Sequence, residues 1–273
     1  MLSLRWLLNY ALLLLIGGLA AVAFFFDRGD EPAAVSGISQ LRPGDVERIE
    51  LSTGLIIEKV DAAWRIAAPV DWPADDTSVE RLLGILKLKA DALDPGTADL
   101  AALGFQPPAA EWRFNDSRLR FGTTNNIGER RYVMIESRLY LLPDVHLAFA
   151  AQGLAGFAAR SLLPGQDDIT ALSLPGLDIY RDDSGALKSS PARTPQQLQQ
   201  VIEAWRTQDA TPVRAYPGGA AGDRVEARLA SGSTLEFHLL ASEPEIVIAN
   251  PAIGLQYHFA GALRDDLLAA ATD

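Results

Sequence analysis

The sequence predicts an α+β fold: an N-terminal transmembrane helix followed by two tandem, duplicated units, each an antiparallel sheet with helices. Three observations predict it. The run Trp6 to Phe26 contains no charged residue, and about twenty apolar residues in a helix span the roughly 30 Å hydrocarbon layer of a bilayer. Beyond it, short alternating strand patterns are punctuated by glycine turns, and helices open on capping boxes. The same element order then recurs: Thr77 and Thr194, Phe121 and Phe237, and Tyr140 and Tyr257 are separated by 116–117 positions.

The apolar run has Asn9 as its one strongly polar side chain, with Trp6 and Tyr10 toward one interface and Phe24 to Phe26 toward the other. One arginine flanks each side, Arg5 and Arg28, and the far flank, Asp27-Arg28-Gly29-Asp30-Glu31, is net acidic. The N-terminal amine, the short leading tail and the acidic far flank tip that tie toward an N-terminus in the cytoplasm with the rest outside it. A chain without cysteine fits a bacterial cell envelope, so the expected site is the inner membrane. The competing reading is a cleaved signal peptide, for which Ala21-Val22-Ala23 offers a small-x-small site. The expected organisation is an anchor at 1–26, a juxtamembrane spacer at 27–43, a first repeat at 44–160, a linker at 161–168 and a second repeat at 169–273.

In the first repeat, residues 46–51 and 55–60 form a hairpin across Ser52-Thr53-Gly54. Residues 63–66 add a strand. The loop 69–75, with Trp72 at its centre, leads into a helix opened by Thr77-Ser78-Val79-Glu80 and carrying Val79, Leu82, Leu83, Leu86 and Ala90 on one face. A meander follows, with strands around Trp112, Phe121, Val133 and Tyr140, and 144–160 reads as helical. The long connection 122–131 interrupts this meander. In the second repeat, strands at 169–174 and 177–180 precede a helix with Thr194-Pro195-Gln196-Gln197 as its capping box and Leu198, Val201, Ile202 and Trp205 as its buried stripe. Four strands and a short helix through Leu267 complete it.

Composition narrows the chemistry. The chain carries a net charge of −11 over 273 residues, which argues against nucleic acid as a partner. It has no cysteine, which removes disulfides, thiol catalysis and Cys-ligated metal. His146, His238 and His258 are the three imidazoles, and none has metal-type spacing to another ligand. Asp75-Asp76 reads as helix N-terminal charge rather than a catalytic pair. No G-x-S-x-G occurs. No catalytic, cofactor or metal residues are therefore assigned. The candidate contact residues are Trp72, Asn125, Asn126, Arg130 and Arg131, in the two connections that the second repeat lacks. Two glycines, two asparagines and two arginines suit an anion or a peptide carboxylate.

The stretch Trp64-Arg65-Ile66, Pro69 and Pro73-Ala74-Asp75 resembles a bacterial family described as domain of unknown function 4340. Leu103-Gly104-Phe105 with Pro107, Leu119-Arg120-Phe121-Gly122, Arg131-Tyr132-Val133, and Arg160 with Leu162-Leu163 continue the likeness over about 45–175. Phe105 stands where the family more often has Leu. The resemblance implies a single-pass envelope protein, often encoded near an ABC-type exporter. It supplies no active site. The expectation is thus a non-catalytic, membrane-anchored extracytoplasmic scaffold or accessory protein. It contacts the lipid bilayer through residues 6–26 and a membrane partner such as an ABC-type transporter subunit. The alternatives are a small-ligand or glycan-binding module using loops 69–75 and 122–131, and a hydrolase.

Overall fold

A computed structural model describes residues 37–269 apart from 126–127, 164, 166 and 220–221. The expected span at residues 6–26 lies outside the described residues. Among the described residues no helix is long and apolar enough to cross a membrane.

Two eight-stranded antiparallel sheets dominate. The first contains β1 (Arg48–Leu51), β2 (Ile56–Val60), β3 (Ala63–Ala68), β4 (Trp72–Pro73), β5 (Ala110–Phe114), β6 (Ser117–Asn125), β7 (Arg130–Ile135) and β8 (Arg138–Pro143). Their order across the sheet is β4-β3-β2-β1-β5-β6-β7-β8. The second contains β9 (Ile169–Leu174), β10 (Leu177–Arg181), β11 (Leu187–Ser190), β12 (Val213–Ala215), β13 (Asp223–Leu229), β14 (Thr234–Ala241), β15 (Glu245–Asn250) and β16 (Leu255–Ala260). Its order is β11-β10-β9-β13-β14-β15-β16-β12. Setting β4 and β12 aside, the two sheets have the same strand order. The supplementary strands differ. β4 precedes its helix and extends the β3 edge, whereas β12 follows its helix and extends the β16 edge.

Period-two burial explains the sheets. Ala110, Trp112 and Phe114 on β5 are buried, and so are Val225, Ala227 and Leu229 on β13, with their even-odd neighbours more exposed. Each buried face is covered by a helix. Helix α1 (Asp76–Leu83) lays Val79, Leu82 and Leu83 onto the first sheet. Its N-cap is Asp75, whose carboxylate accepts from the Ser78 backbone N–H at 3.0 Å and the Ser78 hydroxyl at 2.7 Å. The helix thus starts before Thr77, because the carboxylate of Asp75 reaches the free N–H groups first. It ends sooner than the apolar spacing predicts: a 3-10 turn, Gly84–Lys87, follows, and Ala90 is not helical. Two short helices, α2 (His146–Ala150) and α3 (Gly153–Phe157), replace the expected single one, since Gly153 takes a positive φ of 58° where α3 begins.

Helix α4 (Pro195–Thr207) covers the second sheet, with the expected capping box formed by Thr194 and Gln197. Leu198, Val201, Ile202 and Trp205 are buried beneath it, and the Trp205 and Phe237 rings meet edge-on at 5.5 Å. The Trp205 indole N–H donates to the Leu267 carbonyl at 2.7 Å, which docks α5 (Arg264–Leu268). One continuous cluster of buried residues runs through both halves. A smaller one, Phe105, Met134 and Leu139, lies under the segment between α1 and β5.

Two stretches expected as connectors are built into the fold. Ile38, in the expected spacer, is 3% exposed, and its N–H donates to the Leu88 carbonyl at 3.0 Å. Leu162 and Leu163, in the expected linker, are buried in the main core.

Candidate functional site

The connection 122–131 is for the most part strand. β6 continues through a bulge to Asn125, where it pairs with Arg130 on β7. Arg131 locks this hairpin. Its guanidinium makes a two-pronged ion pair with Asp144, at 2.6 Å from Nε and 2.8 Å from Nη2, and donates from Nη1 to the Gly122 carbonyl at 2.5 Å. The Thr124 hydroxyl also donates to Asp144, at 3.0 Å. The Arg131 hydrogen bond, with help from Thr124, holds the Asp144 carboxyl below the ordinary aspartate range against the opposing effect of burial. Arg131 therefore holds the hairpin shut and offers little to a ligand. The Asn125 amide donates to the Tyr132 hydroxyl at 3.4 Å. Asn126 lies outside the described residues.

Trp72 is not a loop residue. It pairs with Ile66 across β3 and β4 and is 5% exposed. Its indole N–H faces the Tyr257 hydroxyl of the second sheet, a contact that slightly favours the phenolate, while burial pushes the Tyr257 phenol well above its ordinary value. Neither group finds a hydrogen-bond partner of good geometry, so the pair is best described as a packed contact between the halves. Its neighbours are also at this junction. Ala74 forms an isolated bridge with Ala158, the Asp75 N–H donates to the Phe157 carbonyl at 2.7 Å, and Arg160 spans Asp75 (3.7 Å) and Asp209 (3.9 Å). A cleft of about 330 Å³ opens here, walled by Arg81, Phe149, Arg160 and Thr211. Arg81 lies over the Phe149 ring at 5.0 Å, a cation–π contact.

Arg130 belongs elsewhere. It is exposed, and among the described residues it makes no ion pair. It lines a groove of about 450 Å³ between the segment Leu88 to Asp91 and the β8 edge at Leu141 to Pro143. Trp72 and Arg131 line neither cleft, so the sequence-derived candidates do not converge. The groove residues Lys89, Leu141 and Pro143 were missed because they carry no motif; the signal was their position at a sheet edge, which only the strand order reveals.

The imidazoles are scattered. His146 opens α2, and burial lowers its pKa. His238 and His258 lie on β14 and β16, with β15 between them. His258 is 5% exposed, with Nδ1 3.1 Å from Glu245 and Nε2 3.1 Å from Gln256. Among the described residues no group of three or more His, Asp or Glu is placed to hold a metal ion.

The fold and these surfaces define an α+β protein of two antiparallel sheets joined through a buried seam. The family model "Domain of unknown function (DUF4340)" matches residues 64–216, more than half of the chain, and the chain belongs to that family. The matched span runs from β3 to just past β12 and contains every residue named above as lining the junction cleft. Neither a curated protein nor a solved structure matches the chain.

Proposed function

We propose that this chain is a non-catalytic, membrane-anchored extracytoplasmic scaffold or accessory protein that works by contact. On this reading residues 6–26 span the bilayer once with the N-terminus in the cytoplasm. The duplicated units at 44–160 and 169–273 stand outside it, and an ABC-type transporter subunit is the partner class. The observation that carries the reading is how the polar candidates are used. Arg131 and Asp144 close a hairpin, Asp75 caps a helix, and Asp182 is lowered by hydrogen bonds from Ser184 within its own turn. The remaining displaced groups, His146 and Tyr257, are shifted chiefly by burial. None of these groups except Asp75 lines either cleft, and Asp75 is already committed to Ser78 and Arg160. The repeated strand order supports duplication, and the uncharged run supports the anchor.

Carbonate extraction of native membranes, with topology reporters fused at each end, tests this reading. The expected result is a chain retained in the membrane with its C-terminus outside the cytoplasm. Release by carbonate, or a cytoplasmic C-terminus, overturns it.

A further inference from the structure

The first sheet ends at β8, and among the described residues its outer edge is paired at one point. The Leu93 N–H donates to the Leu139 carbonyl at 2.7 Å, and the pairing stops there. Strand periodicity then aims the Leu141 N–H and C=O and the Pro143 C=O outward, because alternate residues of an edge strand face away from the neighbour. The Asp144 N–H, which donates inward to the Glu129 carbonyl at 3.3 Å, agrees with that alternation. The segment Leu88 to Asp91 diverges from β8 and leaves the groove of about 450 Å³. An exposed strand edge is a template for another strand.

Charge selects the occupant. Lys89 and Arg130 both line the groove, and among the described residues neither makes an ion pair. Asp91 is the one acidic residue in the lining. This is a locally cationic site on a chain whose net charge is −11. Position selects the setting. Gly37 bridges to Lys89, so the described chain begins beside the groove. Residue 26 precedes Gly37 by 11 positions, and such a length reaches at most about 40 Å when fully extended.

We propose that this groove receives an extended acidic segment of a membrane partner, added as a strand along β8 with its carboxylates on Lys89 and Arg130. The proposal rests on the anchored-scaffold reading for its setting and on the groove alone for its chemistry.

The test uses the full chain in detergent and a blocked peptide of alternating Glu and Val. A Lys–Val counterpart and an N-methylated Glu–Val peptide serve as controls. The Glu–Val peptide is expected to bind saturably and to slow hydrogen exchange at the Leu141 amide. The double change Lys89→Glu with Arg130→Glu is expected to weaken it about tenfold or more. N-methylation, which removes the strand's donors, is expected to abolish it. Equal binding of the Glu and Lys peptides, indifference to the double change, or no binding overturns the proposal. So does competition by phosphatidylglycerol vesicles for the same two cations with no change at Leu141, which assigns them to lipid. So does self-association through β8 that excludes the peptide. Carbonate release of the chain with peptide binding intact removes only the anchored setting; carbonate retention with no binding removes only the groove.

Discussion

Gly122 is glycine because of what lies beside it. Its φ is not left-handed, but a Cβ there would stand 2.2 Å from the Leu103 carbonyl oxygen. Thr123 donates to that same carbonyl at 2.8 Å, so the approach is fixed by a hydrogen bond. Gly104, with φ 76°, would place a Cβ 2.6 Å from the Thr123 methyl. Gly122→Ala should therefore cost about 1–3 kcal/mol, as overpacking does. Gly44→Ala, with nothing within 4 Å, should be close to neutral; thermal melts of the two variants make the comparison. Arg131→Ala should cost about 1–2 kcal/mol at neutral pH, the discounted value of a half-buried two-pronged pair. The sign of its pH dependence follows from the lowered Asp144 pKa. That stabilisation is complete above the unfolded carboxylate value of about 3.9 and is lost as pH falls through the lower folded value. The gap between wild type and Arg131→Ala should close in acid denaturation curves; a constant gap would deny the coupling.

Among the elements, the caps carry measurable stability. Thr194→Ala removes a complete capping box and should cost about 1 kcal/mol. Asp75→Ala should cost at least as much, because Asp75 also meets Arg160 across the junction, whereas Thr77→Ala should cost little. Urea titrations of the three variants decide whether Asp75 or Thr77 is the cap. The second helix was legible in full, since Pro195, the capping box and the stripe from Leu198 to Trp205 agree. The first was legible only in its middle. Asp75, Asp76, Thr77 and Ser78 stand in a row at its start, and sequence spacing does not tell which oxygen reaches the free N–H groups. The loop 122–131 misled for a related reason: Gly, Asn and Thr signal a turn, yet bulged pairing with β7 carries residues up to Asn125 as strand. Trp72 reads as a loop contact residue because its neighbour in the fold, Tyr257, is remote in sequence.

At the scale of the whole molecule, the main buried cluster runs through both halves and predicts one cooperative transition. Calorimetry should show a single peak, and two resolved peaks would contradict a shared core. Trp72→Ala should lower it strongly, by about 3–5 kcal/mol, through loss of a large buried ring at the seam. Tyr257→Phe should change stability by less than about 1 kcal/mol, because the hydroxyl it removes is buried without a well-formed hydrogen bond. The succession of elements along the chain was legible from the recurring pattern, but the order of the strands across each sheet was not. Nor was the seam, because Trp72 stands on β4, a two-residue strand too short to leave a periodic trace.

The short strands β4 and β12 also set a limit on growth. Stacked repeats lengthen by offering each neighbour the same face. Here each half carries its supplementary strand on a different flank: β4 adjoins β3, and β12 adjoins β16. A further unit inserted between the halves would have to displace Trp72 from Tyr257. The halves are therefore joined by a particular seam, Trp72 against Tyr257, and not by a generic stacking face.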